Sequence, residues 1–193
     1  MAQAPDTHRF RLHINHEESH KESVMAAHTA PVRSTRHRAV AWAAVADAVT
    51  YWSGMAAFYM SFGFLWYYGA KEKLFDQNAS MPDGLAKAYG GSFIESFPGL
   101  DTAWLLLGLV EAVAFLLVIA SLAAGEFLRG RAKPILIAAL GFSMFTFALM
   151  AFAQNMVANH ESVASLFTYM GVTAVVLAVV KFVPPFRGRD TEA

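Results

Sequence analysis

From Ala39 onward the chain is a succession of long apolar runs broken by short polar stretches. The first run, Ala39 to about Ala70, is too long at ~1.5 Å per residue for one straight crossing of a hydrocarbon layer ~30 Å thick. Asp47 and the Tyr51–Trp52 pair divide it, because Trp and Tyr favour the headgroup level. A second aromatic cluster, Trp66, Tyr67 and Tyr68, follows about one bilayer thickness later. The pattern predicts a first span at about 49–70, preceded by an interfacial helix that carries Trp42. Residues 71–100 are mixed, and Pro82, Gly84, Gly90, Gly91 and Pro98 break them into a substantial loop with one short amphipathic helix around Leu85 to Tyr89. Three more spans are predicted at about 102–124, 134–153 and 163–183. Trp104 stands at the start of the first of these, Pro134 suits the first turn of the next, and Pro184–Pro185 ends the last. The links are the basic turn GEFLRGRAKP and the polar stretch QNMVANHES.

The expected fold is therefore an all-α membrane protein, a four-transmembrane-helix bundle formed by residues 39–193. Residues 1–38 are polar and His-rich, lack the apolar core of a signal peptide, and read as a disordered tail with weak helical potential around Glu17 to Ala27.

Charge placement sets the orientation. Arg9, Arg11, Lys21, Arg33, Arg36, Arg38, Arg129, Arg131, Lys133, Lys181, Arg187 and Arg189 fall on one side of the predicted membrane, and Lys71, Lys73 and Lys87 on the other. Twelve against three is a positive-inside bias, so both termini are expected to be cytoplasmic and the 71–100 loop outside.

Composition agrees with that class. Only 16% of the 193 residues are charged and 56% are hydrophobic, against roughly a quarter charged in a soluble domain. The net charge of zero gives no sign of a nucleic-acid partner. The chain has no cysteine, which excludes disulfides, thiolate metal sites and Cys-x-x-Cys redox chemistry.

Glu111 is the most informative candidate. It lies two turns past Trp104, about 10 Å into the outer half of the bilayer by helical rise, where an ionised carboxylate costs roughly 2.5–3.5 kcal/mol. It should face the bundle, neutral or paired, and Lys71 and Lys73 at the outer end of the first helix are its natural partners. Either it handles protons or a polar headgroup, or it fixes helix register through a buried contact. The segment Tyr68 to Phe75 sets two lysines and Glu72 beside Trp66. That mixture suits a quinone headgroup, a lipid phosphate or a carboxylated ligand, and equally an interfacial anchor.

Other features weigh less. Asp47 is expected to be solvated at the cytoplasmic boundary. The tail holds His16-Glu17-Glu18-Ser19-His20, the H-E-x-x-H spacing of zinc proteases, with His13 nearby. It has no apolar helix to hold it, so no metal site is assigned. Asn78-Ala79-Ser80 is a glycosylation sequon. His160 and Glu161 could approach the outer loop. Histidine placement gives no haem pair inside the spans. Ser53, Ala57 and Ser61, and likewise Gly171, Ala174 and Ala178, form rows of small residues that allow close helix approach.

The run FGFLWYYGAKEKLFD (Phe62 to Asp76) resembles the first-helix signature of DoxX-like membrane proteins, carried here by Phe64-Leu65, Gly69 and Lys73-Leu74-Phe75. The second span, with Glu111 in a Gly/Leu-rich run, is similar to that family's second helix, and the resemblance covers about residues 50–183. It implies a bacterial inner-membrane subunit of a quinone-linked redox assembly, related to the DoxD-type subunit of thiosulfate:quinone oxidoreductase. A quinone or lipid site is then expected at the outer-leaflet end of helices one and two, on Glu111, Lys73, Lys71 and Trp66. No covalently bound cofactor is expected, and the partners are the bilayer and other membrane-associated subunits. The alternatives are a non-enzymatic scaffold that docks a complex through its tail and the 39–48 segment, and a small-solute or lipid transporter. The sequence leaves open whether the chain is an enzyme.

Overall fold

The computed structural model describes residues 42–183 and Phe186. The tail with its H-E-x-x-H sequence, residues 39–41, and Arg187 and Arg189 lie outside the described residues. The chain separates into two units, Met1–Val49 and Thr50–Ala193. In the first, residues 42–49 are helical, with Trp42, Val45, Asp47 and Val49 exposed. The second is all-helical among its described residues.

Its helices are α1 (residues 50–71), α2 (Asp83–Ala88), α3 (Phe93–Ser96), α4 (Leu100–Ala123), α5 (Pro134–Met156) and α6 (His160–Phe182), with a π-helical turn, Glu72–Asp76, directly after α1. Three of them, α4, α5 and α6, are long and apolar enough to cross a membrane. At ~1.5 Å per residue their 24, 23 and 23 residues exceed the ~30 Å hydrocarbon layer. Most of each apolar stretch is left uncovered by the rest of the chain. Leu109, Leu116, Phe145, Phe152, Val172 and Val175 all point outward, a surface that water would not tolerate and lipid does.

The boundaries differ from the sequence pattern at two places. The link between α5 and α6 shrinks to residues 157–159, because Gln154, Asn155 and Met156 continue α5 and His160 already begins α6. The Asn159 side chain accepts from Ser162 N at 3.2 Å and caps α6. The 71–100 loop is also more structured than a single short helix: it holds the π-helical turn, α2 and α3. The end of α6 falls as expected, with Val183 extended ahead of the proline pair.

α1 is buried along one stripe, Tyr51, Met55, Trp66 and Ala70, with Phe58, Tyr59 and Phe62 partly covered between them. That is the spacing of a single helical face. Near its start, Tyr51 and Met55 pack with Leu136 and Leu140 of α5, Val180 of α6 and Phe186. Toward its end, Trp66 packs with Ala114 of α4, Phe147 and Ala151 of α5 and Leu166 of α6. α1 therefore completes a four-helix bundle.

Buried hydroxyls and carboxylates stitch the bundle together. The hydroxyl of Tyr51, a fully buried residue, donates to Phe127 O at 2.7 Å. Trp66 Nε1 donates to Ser143 Oγ at 2.9 Å. Glu126, 4% exposed, accepts from Ser121 Oγ at 2.8 Å and from the amides of Ile135 and Leu136 at 2.9 and 2.7 Å. It thereby satisfies donors that the first turn of α5 leaves without helical partners, with the negative charge on the favourable end of the helix dipole. Ser53, Ala57 and Ser61 lie on the exposed face of α1, and a Cβ added at Gly171 of α6 meets nothing within 4 Å.

Candidate functional site

The end of the bundle at which α1 finishes is built around one buried ion pair. Lys73 projects from the π-helical turn and Glu111 from the middle of α4, and Nζ lies 3.0 Å from Oε2. Lys73 is 6% exposed and Glu111 2%. Oε2 has no contact with hydrogen-bond geometry, so charge attraction holds the pair together. Lys73 Nζ also reaches Gly69 O at 3.5 Å and sits 4.8 Å from the centre of the Trp104 ring, within the range where an aromatic face attracts a cation.

Two glycines permit this approach. A Cβ on Gly69 would stand 2.8 Å from Glu111 Oε2, and one on Gly108 would stand 2.9 Å from Leu74 Cδ2 and 3.0 Å from Lys73 Cβ. Gly69 thus makes room in α1 for the carboxylate, and Gly108 makes room in α4 for the π-helical turn. That turn carries an extra residue per turn, a local irregularity common at functional sites, and buries Lys73 against α4 while Glu72 stays exposed.

Lys71, the other candidate partner, does not join them. Its Nζ is 2.7 Å from both Asp76 carboxylate oxygens on the exposed side of the turn. Trp66 is a core residue of the α1–α5 contact, 2% exposed, its ring tilted against Phe147 with centroids 5.0 Å apart. Of the four sequence-derived candidates, then, Lys73 and Glu111 touch, and Lys71 and Trp66 are engaged elsewhere.

Next to the pair lies a cavity of about 510 Å³. Its walls are apolar: Leu107 and Val110 from α4, Met150 and Ala153 from α5, and Leu85, Ile94 and Pro98 from the 71–100 loop. The polar groups on it are Lys73, Tyr89, Gln154 and the Trp104 indole. Leu106 and Phe152 also line it and are 50% and 60% exposed on the outside of α4 and α5. The cavity therefore borders the apolar exterior of the bundle. The loop over it is anchored by Asp101, which accepts from Ser80 Oγ at 3.0 Å and Met81 N at 2.9 Å, and by Trp104 Nε1, which donates to Gln77 Oε1 at 2.8 Å.

Sequence reasoning picked out Lys73 and Glu111 but missed Tyr89 and Gln154, and the short-helix reading around Leu85 to Tyr89 was the one signal near the former. It also missed Glu126, which sits in a turn that reads only as basic. Among the described residues no group of three or more His, Asp or Glu side chains gathers as a metal site. The chain matches no protein-family model, no curated protein and no solved structure.

Proposed function

We propose that this chain is a four-span inner-membrane protein of the DoxX-like kind. It has both termini in the cytoplasm and serves a redox assembly as the subunit that binds a lipid-soluble quinone. The observation that carries the reading is the apolar cavity beside Lys73 and Glu111. Its ~510 Å³ lies within the usual 300–1,000 Å³ range of small-molecule sites, which combine apolar walls with a few polar groups. Lys73 offers a donor to a ring carbonyl, Trp104 offers an aromatic face, and the border at Leu106 and Phe152 gives a membrane-dissolved molecule a way in. When bound, the quinone supplies the electron-accepting chemistry. The residues around it bind the ring, exclude water and hold a protonatable pair nearby.

The topology is supported by the stripe along α1, which packs on α4, α5 and α6 as a fourth span would, and by the positive-inside distribution of Lys and Arg.

The test is purification from native membranes in mild detergent, with mass spectrometry of extracted lipids and co-purifying proteins. Near-stoichiometric quinone, lost when Ala153→Trp fills the cavity, is the expected result. A stable set of partner subunits with no quinone would overturn the reading in favour of a scaffold.

A further inference from the structure

Tyr89 stands apart from the other covered tyrosines. Tyr51 and Tyr59 spend their hydroxyls on Phe127 O at 2.7 Å and Ser121 Oγ at 2.8 Å. Tyr89 is 4% exposed and lines the cavity, yet its hydroxyl has no hydrogen-bond partner among the described residues. Its backbone is already engaged, the N–H donating to Leu85 O at 3.1 Å and the carbonyl accepting from Ser92 N at 3.0 Å. The hydroxyl oxygen is not among the sealed polar atoms, so it keeps the access that a donor to a bound molecule needs, and a tyrosine hydroxyl beside an apolar wall normally finds a partner. Burial raises the Tyr89 pKa above its ordinary value, so at neutral pH the group is a donor.

The charge at the site is also internally balanced. Lys73 contributes one positive charge and Glu111 one negative, 3.0 Å apart. An anionic head gains little net attraction there, whereas a neutral carbonyl can accept from a donor without disturbing the pair.

We infer that Tyr89 is a second donor to the cavity's ligand, working with Lys73, and that the site selects a neutral lipid-soluble carbonyl compound over an anionic lipid. The inference rests on the quinone reading above and goes further by naming the residue and the charge class that set specificity.

The test uses the full chain in nanodiscs and three probes: a decyl-substituted naphthoquinone, the matching decylnaphthalene, and palmitate. Wild type should bind the quinone most tightly. Tyr89→Phe should weaken the quinone by about two- to tenfold, the span of one hydrogen bond, and leave decylnaphthalene unchanged. Equal quinone affinity in wild type and Tyr89→Phe overturns the role of Tyr89 while the quinone reading stands. Equal weakening of both ring probes marks Tyr89 as a packing residue and overturns it too. Palmitate binding more tightly than the quinone overturns the neutral-ligand assignment. No quinone binding to wild type overturns this inference and the quinone reading together.

Discussion

Replacing Lys73 by Met removes the cation and leaves the Glu111 carboxylate in a site where it is 2% exposed. At the observed 3.0 Å and an effective dielectric of ~20, the pair's attraction is about 5–6 kcal/mol. Desolvation costs several kcal/mol per ion and offsets most of that. The intact pair is therefore close to neutral relative to an apolar pair of similar volume. Breaking it is not neutral, because one partner is stranded: Lys73→Met should cost about 3–5 kcal/mol, and Glu111→Leu, which strands the ammonium, a comparable amount. The double variant should return to within about 1 kcal/mol of wild type or exceed it. A double-mutant cycle on reversible unfolding in mixed micelles, titrated with denaturing detergent, measures this directly as a coupling energy. Single losses that simply add in the double variant, or a Lys73→Met cost below about 1 kcal/mol, would show that the two charges are not coupled.

The close approach at the same site makes opposite predictions for two glycines. Gly69→Ala places a Cβ 2.8 Å from Glu111 Oε2, so an overpacking cost of about 1–3 kcal/mol should outweigh the ~0.5–1 kcal/mol helical gain of Ala over Gly. Gly171→Ala meets nothing within 4 Å and should keep that gain; the two midpoints moving the same way would contradict the packing. At the opposite end of the bundle, burial lowers the Lys133 pKa, while its unfolded value stays near 10.5. Between those values the unfolded state binds more protons, so stability should rise with pH up to about 10.5 and fall as pH drops through the lowered value. Lys133→Met should lose that slope, and identical pH profiles would refute the assignment. Because the chain has no cysteine, single cysteines at Ser80 and Ala132 report topology cleanly. An impermeant maleimide applied to whole cells should label the first and not the second, and the reverse pattern would invert the proposed orientation.

What the sequence could reveal follows from which forces act locally. The long apolar runs made α4, α5 and α6 legible, since a bilayer demands length and hydrophobicity that no soluble domain needs. Pro134 marked the start of α5, and a lone carboxylate amid leucines marked Glu111 as facing the bundle. The partner was legible only as a choice between Lys71 and Lys73. The π-helical turn decides it, by burying one lysine while the other meets Asp76. The aromatic pattern did not show which rings would turn inward, because the preference of Trp and Tyr for headgroups says nothing of which helix face they occupy. Tyr51 and Trp66 turn inward and find acceptors in Phe127 O and Ser143 Oγ. The cavity and Tyr89 were illegible because they depend on how an irregular loop folds back over the ends of two helices. Glu126 was hidden for a related reason: its role as a cap for α5 needs a turn geometry that no spacing rule encodes.

The central claim, that the outer cavity holds a lipid-soluble quinone, is tested most directly by photolabelling native membranes with an azidoquinone and mapping the modified peptides. The expected result is label on the cavity walls, in the 71–100 loop around Tyr89 and Ile94 and on α4 and α5 near Leu107 and Met150. That label should be competed away by unlabelled quinone and be absent in Ala153→Trp. Label that resists competition, or competed label confined to other parts of the chain, would contradict the claim.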